Sequence, residues 1–145
     1  MMYTADGTRM RVFLDANVLF SVSDLQSRTA QVLARLTLRN HVAITNSYAW
    51  DEAWRNISTK RPHLTGLESF RERITIINAF VEPMDVVCVE KDIPILAGAI
   101  GARCTHLWTG DKAHLGRYYG QKVQGVMVIS GSQLHDVLMA EFLNS

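Results

Sequence analysis

Hydrophobic residues in this chain form short runs, and these alternate with longer stretches in which apolar positions recur at helical spacing. The short runs predict five buried strands, at 11–14, 41–45, 86–89, 106–108 and 126–129. The periodic stretches predict helices, at 29–38, 48–59, 67–80, 93–102 and 132–143, with a further helical segment directly after the first strand. In the helix over 48–59, Trp50, Ala53, Trp54 and Ile57 form the stripe expected to face the core.

Strands separated by helices indicate a mostly parallel sheet that is covered on both faces. We therefore expect an α/β fold, a three-layer α/β/α sandwich around a mostly parallel five-stranded sheet. The chain of 145 residues has no repeat and no linker, and this length suits one domain. The polar stretch over residues 1–9 is expected to be a flexible leader, with a single domain over residues 10–145.

Composition narrows the class of protein more than it identifies a ligand. Hydrophobic residues make up 48% and charged residues 20%, which is typical of a globular protein and argues against disorder. No apolar run reaches the roughly 20 residues that a membrane span needs, and no signal peptide is recognisable. We expect a cytoplasmic protein in which Cys88 and Cys104 are reduced. A zinc site at Cys104 and His106 is disfavoured because no further nitrogen or sulfur ligands cluster nearby.

Carboxylates follow four of the predicted strands. Asp15 and Asp111 come directly or shortly after a strand, Asp92 opens a helix beyond a third strand, and Asp51 and Glu52 lie one turn into the helix after a fourth. Each acid alone has an ordinary explanation as a helix cap, a turn residue or a solvated helix residue. The carboxyl ends of parallel strands share one edge of the sheet, however, and crowded carboxylates resist ionisation unless a cation offsets their charge. Their coincidence favours a divalent metal site.

The stretches that carry these acids resemble, in order, the motifs of the PIN-domain nucleases. They are VFLDANVL at 12–19, SYAWDEAW at 47–54, DIPILAGA at 92–99 and LWTGDK at 107–112. The run at 126–130 and the final helix resemble the last strand and tail of that family, so the resemblance spans about residues 10 to 143. Trp108 departs from the pattern, because the family usually has a small aliphatic residue there.

The resemblance implies a PIN-like fold and a ribonuclease in which four acids bind Mg²⁺ or Mn²⁺ and carry catalysis. These acids are Asp15, Glu52, Asp92 and Asp111, supported by the polar residues Asn17 and Thr109. Glu52 is preferred over Asp51 because the residues that follow it match the family pattern. Many small members are VapC-like toxins, which implies an RNA substrate, a homodimer and an antitoxin protein as partner.

Metal-assisted hydrolysis needs no nucleophilic side chain, and the strand ends indeed offer no Ser-His-Asp or Cys-His pattern. His114 is expected to pack on a helix surface rather than to contact a phosphate. Cations that could bind RNA backbone phosphates are concentrated between two predicted helices, with a second group beside the acids. The first group is Arg55, Lys60, Arg61, Arg71 and Arg73, and the second is Lys112 and Arg117.

Two other classes of function fit parts of the pattern. A phosphatase with an aspartyl nucleophile would need a second acid where Asn17 stands, and a phospho-acceptor domain would need an acidic pair beside Asp15. The other alternative is a catalytically silent PIN-like module that binds RNA or another protein. Such modules typically lack one or more of the acids, whereas this chain has all four.

Overall fold

A computed structural model describes residues 9–144 of the chain, so the expected leader over residues 1–9 lies outside the described residues except for Arg9. Helices and strands alternate along the described part. In chain order they are β1 (Arg11–Leu14), α1 (Ala16–Val22), α2 (Arg28–Leu38), β2 (Val42–Thr45), α3 (Ser47–Lys60), α4 (Gly66–Ser69), β3 (Ile74–Ile76), α5 (Ile93–Gly101), β4 (His106–Trp108), β5 (Lys122–Val123), β6 (Val126–Ile129) and α6 (Gly131–Leu143). Single-turn 3-10 helices lie at Arg71–Arg73, Glu90–Asp92 and Leu115–Tyr118.

The strands form one sheet in the order β3-β2-β1-β4-β6-β5, flanked by helices. All neighbouring pairs are parallel except β5 and β6, which form an antiparallel hairpin at one edge. Gln124 and Gly125 connect that hairpin with φ values of 48° and 87°, as a two-residue turn with left-handed backbone requires. The α/β fold with a mostly parallel sheet is confirmed, with six strands instead of the expected five.

Two expected elements are wrong, and both lie in the same part of the chain. The helix predicted over 67–80 is only the short α4, after which the β-branched residues at 74–76 form β3. This strand pairs with β2, with Ala43 opposite Ile74 and Thr45 opposite Ile76. The strand predicted over 86–89 does not form, and β3 takes the place beside β2 in the sheet. Val87 there is 69% exposed.

Polar residues directly after the strands begin three of the helices. Asp15 caps α1, Asn46 caps α3 by accepting from Ala49 N–H, and Ser130 caps α6 in a capping box with Gln133. The caps set where each helix leaves the carboxyl edge of the sheet, and this edge holds the candidate site. None of the helices in residues 9–144 has the length and apolar content that a membrane crossing requires.

Close packing fixes α5 against the sheet. A Cβ at Gly98 would lie 2.5 Å from Asn46 Nδ2 and 3.3 Å from the Phe13 ring, so only glycine allows this approach. Asn46 also donates from Nδ2 to the Pro94 carbonyl at 3.1 Å, which joins the start of α3 to the start of α5. These two helix starts carry two of the predicted acids.

Candidate active site

Asp15 lies at the carboxyl end of β1, and its side chain is 4% exposed. Its Oδ1 accepts a hydrogen bond from Ala16 N–H at 2.6 Å. Its Oδ2 accepts one from the Thr109 hydroxyl at 2.7 Å and one from Asn17 Nδ2 at 3.3 Å. This network holds the carboxyl group in one orientation at the base of a cleft.

Burial raises the pKa of Asp15 from 3.8 to about 6. The hydrogen bonds from Thr109 and Ala16 oppose this rise, and the nearby carboxylates Asp92 and Glu52 add to it. A carboxyl group in such surroundings is costly to ionise. A cation beside it would remove that cost by favouring the charged form.

Helix α3 presents one of its two neighbouring acids to the cleft. Glu52 lines the cleft together with Asn56 and Lys60, which follow it at four-residue intervals on the same side of the helix. Asp51 lines a separate surface groove with Arg55 and is exposed. The geometry therefore favours Glu52 as the α3 acid of the site.

Three groups with metal-binding chemistry lie close together, and two of them line the cleft. One ligand atom each from Asp92, Asp111 and His114 lie within 4.8 Å of one another. His114 Nδ1 lies 3.3 Å from Asp111 Oδ2 and 3.9 Å from Asp92 Oδ2. His114 N–H donates to Asp111 Oδ1, and this tight turn brings the imidazole ring to the acids. The position of His114 therefore differs from the packing role expected on a helix surface.

Asp92 contributes an atom that is unsatisfied as it stands. Its Oδ2 is buried and accepts no hydrogen bond from any residue among 9–144. Burial raises the pKa of Asp92, and the charge of Asp111 raises it further. A buried acceptor without a donor is costly, and carboxylate oxygens are the ligands that Mg²⁺ and Mn²⁺ prefer. The donor set thus fits a divalent cation.

The segment after β4 positions both Asp15 and Asp111. The Thr109 hydroxyl donates to Asp15 and accepts from Asp111 N–H at 3.1 Å, so one side chain sets the positions of two acids. Asn17 Oδ1 accepts from Gly110 N–H at 2.8 Å, and the Tyr119 hydroxyl donates to the Thr109 carbonyl at 2.8 Å. Asn17 and Thr109, which the sequence predicted to support the acids, thus contact Asp15 and the segment of Asp111, and their supporting role stays a prediction.

The cleft between these groups has a volume of about 350 Å³. All four predicted acids line it, as does Asn17. Sequence reasoning missed five residues of its wall, namely Ala16, Phe20, Asn56, Lys91 and Ile95. Asn56 could have been found from its spacing to Glu52 on one helix face, and Lys91 from its place beside Asp92. The positions of Phe20 and Ile95 depend on how α1 and α5 pack, which no local pattern indicates.

The predicted RNA-binding cations do not form one patch. Lys60 lines the cleft, and Lys60 and Arg61 both lie over the Phe20 ring, at 5.9 Å and 4.8 Å from its centroid. Arg71 lies over Trp50, and Arg73 lines a groove at the opposite end of the strands, with His41. The remaining members are on other surfaces: Arg55 is in the outer groove of α3, Arg117 is over Tyr118, and Lys112 is in a groove behind Gly110.

Among solved structures, the chain is similar to one in the crystal structure of VapBC2 from Rickettsia felis bound to a DNA fragment from their promoter. The sequences are 15% identical, the TM-score is 0.61, and the match covers 83% of this chain and 98% of that one. At this identity the likeness concerns the fold, which is PIN-like, as the sequence motifs imply. No protein-family model and no curated protein sequence matches the chain.

Proposed function

We propose that this protein is a metal-dependent ribonuclease that hydrolyses RNA phosphodiester bonds with Asp15, Glu52, Asp92 and Asp111. The observation that carries the proposal is the buried Oδ2 of Asp92, which has no donor among residues 9–144 although three other carboxylates surround the same cleft. A site built only to stabilise the fold would place donors at such an atom.

The chemistry of the cleft follows from its ligands. Asp92, Asp111 and His114 would hold one divalent cation, and Asp15 and Glu52 line the same cleft. When bound, Mg²⁺ or Mn²⁺ lowers the pKa of a coordinated water and offsets charge on the phosphate. Thr109 keeps Asp15 and Asp111 in position, and burial of Asp15 and Asp92 limits competition from solvent for the same oxygens.

Cations at the cleft would bind the RNA backbone. Lys60 and Lys91 line the cleft, and neither forms an ion pair with a carboxylate among residues 9–144, so their ammonium groups could bind phosphates. Both flank the acids, one on α3 and one directly before Asp92. They extend the list of RNA-binding candidates by Lys91, whereas Arg73, at the opposite end of the strands, is the weakest of the original candidates.

The biological setting that we propose is a VapBC-type toxin–antitoxin pair, with an antitoxin protein as partner and a homodimer as the active form. This proposal is supported by the fold that the chain shares with a chain of VapBC2. An exposed apolar stretch agrees with a partner protein, since Phe80 is 63% exposed, Met84 65% and Val87 69%.

The proposed activity is tested by incubating a mixed RNA pool with wild type, Asp15→Asn and Asp92→Asn in Mg²⁺, in Mn²⁺ and in EDTA. Asp51→Asn is the matched control, because it removes a carboxylate next to Glu52 that lies outside the cleft. We expect cutting by wild type and Asp51→Asn only when metal is present, and at least a hundredfold loss in the two cleft variants. If all four proteins bound RNA equally and none cut it, the silent RNA-binding module would replace the nuclease.

A further inference from the structure

A second groove lies behind the segment that carries Asp111. Its volume is about 200 Å³, and it is lined by residues from α2, from α6 and from the end of β4. Thr109 and Gly110 line this groove, and the next residue, Asp111, lines the acid cleft. The mechanism proposed above does not use the groove.

The lining of this groove has the opposite electrostatic character to the cleft. It contains the cations Arg28 and Lys112 and no acidic residue. Neither cation forms an ion pair with a carboxylate in residues 9–144. Two positive side chains without partners attract an anion to this face of the loop.

Two helices begin at the groove. Arg28 and Thr29 are the first residues of α2, an 11-residue helix, and Gly131 and Ser132 are the first residues of α6, which has 13 residues. The caps Ser27 and Ser130 accept from the third N–H of each helix, which leaves the first two N–H groups of each without an acceptor in the described chain. Such N–H groups and the positive ends of both helix dipoles favour an oxyanion.

Trp108 adds a side-chain hydrogen-bond donor to the groove. Its side chain is only 2% exposed and lines the groove, with Nε1 3.4 Å from the position that a Cβ would take at Gly131. No atom in residues 9–144 accepts a hydrogen bond from this indole N–H. An indole nitrogen can only donate, and Nε1 is not one of the fully buried unpartnered atoms of residues 9–144, so it opens into the groove, where an acceptor can approach it.

We propose that this groove binds a phosphate group of the RNA strand whose neighbouring phosphodiester lies in the acid cleft. The polar groups that face the groove are donors: the indole N–H of Trp108, the first N–H groups of α2 and α6, and the side chains of Arg28 and Lys112. Such a set of donors matches a phosphate and repels a cation. The identity of the polymer rests on the proposed ribonuclease function, whereas the phosphate chemistry rests on the groove alone. The role also accounts for a tryptophan at position 108.

The site is tested directly by nuclear magnetic resonance of the full chain in EDTA, which prevents cutting. The sequence has three tryptophans, so three indole N–H signals are expected, and Trp50→Phe and Trp54→Phe assign that of Trp108 by elimination. A short single-stranded RNA and inorganic phosphate are titrated in turn. We expect the RNA to shift the Trp108 signal at concentrations at which the same amount of inorganic phosphate does not.

Gly131→Ala is the variant that closes the site with little disturbance elsewhere. The added Cβ would sit 3.4 Å from Trp108 Nε1, an ordinary contact distance that blocks the approach of an acceptor. Its RNA affinity, measured by fluorescence anisotropy in EDTA, should fall roughly tenfold, the effect of one charge-assisted hydrogen bond.

The two cations of the groove are tested by the salt dependence of RNA binding. Arg28→Gln and Lys112→Gln should each reduce the slope of log K against log salt concentration by about 0.7. The control Lys122→Gln removes an exposed cation on β5, outside the groove, and should leave affinity unchanged.

The outcomes separate the groove from the nuclease. A Trp108 signal that responds to RNA in wild type and not in Gly131→Ala supports the groove, even if no metal-dependent cutting is found. A signal that ignores RNA, in a protein that does cut RNA, overturns the groove and leaves the nuclease intact. A signal that responds to inorganic phosphate and not to RNA overturns the assignment to an RNA strand.

Discussion

Replacement of Asp15 by asparagine should stabilise the metal-free protein at alkaline pH while it removes activity. The pKa of Asp15 is raised from 3.8 to about 6, chiefly by burial. One pKa unit corresponds to about 1.4 kcal/mol, so ionised Asp15 destabilises the folded chain by about 3 kcal/mol. Asparagine carries no charge and avoids this cost.

The sign of the effect depends on pH in a defined way. Because the folded-state pKa is raised, the stability that protonated Asp15 provides is fully present below pH 3.8 and is lost as pH rises through about 6. The asparagine keeps an oxygen for Ala16 N–H but loses the acceptor for the Thr109 hydroxyl, which costs about 1 kcal/mol. We therefore expect Asp15→Asn to be about 2 kcal/mol more stable than wild type at pH 8 and slightly less stable at pH 4.

Urea unfolding in EDTA at both pH values measures this difference. The control is Asp51→Asn, whose carboxylate is exposed outside the cleft, and its stability relative to wild type should be the same at both pH values. If Asp15→Asn were destabilised by the same amount at pH 4 and pH 8, ionised Asp15 would carry no folding cost and the reasoning would be refuted.

Three further predictions follow from contacts in and around the cleft. Millimolar Mg²⁺ should raise the unfolding temperature of wild type, measured by calorimetry, and not that of Asp92→Asn, because the buried Oδ2 gains a partner only when metal binds. Equal increases in both proteins would place the metal elsewhere. Thr109→Val should lower Mg²⁺ affinity by roughly 10–100-fold in titration calorimetry, since it removes the hydroxyl that orients Asp15. Unchanged affinity would show that this hydroxyl does not position the acid. Gly98→Ala should lower the free energy of urea unfolding by roughly 1–3 kcal/mol, because its Cβ would lie 2.5 Å from Asn46 Nδ2. A variant as stable as wild type would contradict the tight approach of α5.

The parts of the cleft that sequence could predict depend on local patterns. Asp15 and Asp111 follow apolar runs that do form β1 and β4, so their arrival at one edge of the sheet follows from strand direction. Helical spacing likewise separates Glu52 from Asp51 once α3 is placed. The prediction of which α3 residues face the core was less accurate. Ala49, Ala53 and Ile57 are buried, whereas Trp50 and Trp54 are half-buried.

The parts that sequence could not predict depend on partners far along the chain. Residues 67–80 have apolar positions at helical spacing, yet β2 offers a free edge with which only an extended Ile74–Ile76 can pair. Val87 and Val89 have strong strand propensity, yet they pair with no strand and remain exposed. His114 reaches the acids through one tight turn, whose signal was an aspartate three residues earlier.

The order of the strands also determines when the cleft comes into existence during synthesis. The central β1 is synthesised before the other strands, yet its neighbour β4 lies far along the chain, so that Val12 pairs with His106. A ribosome that has released the chain only as far as β3 has delivered Asp15 and Glu52 but neither Asp92 nor Asp111. The nascent protein therefore has no complete set of acids until the segment beyond β4 has emerged and joined the centre of the sheet. Translation itself delays the chemistry until the fold is nearly complete.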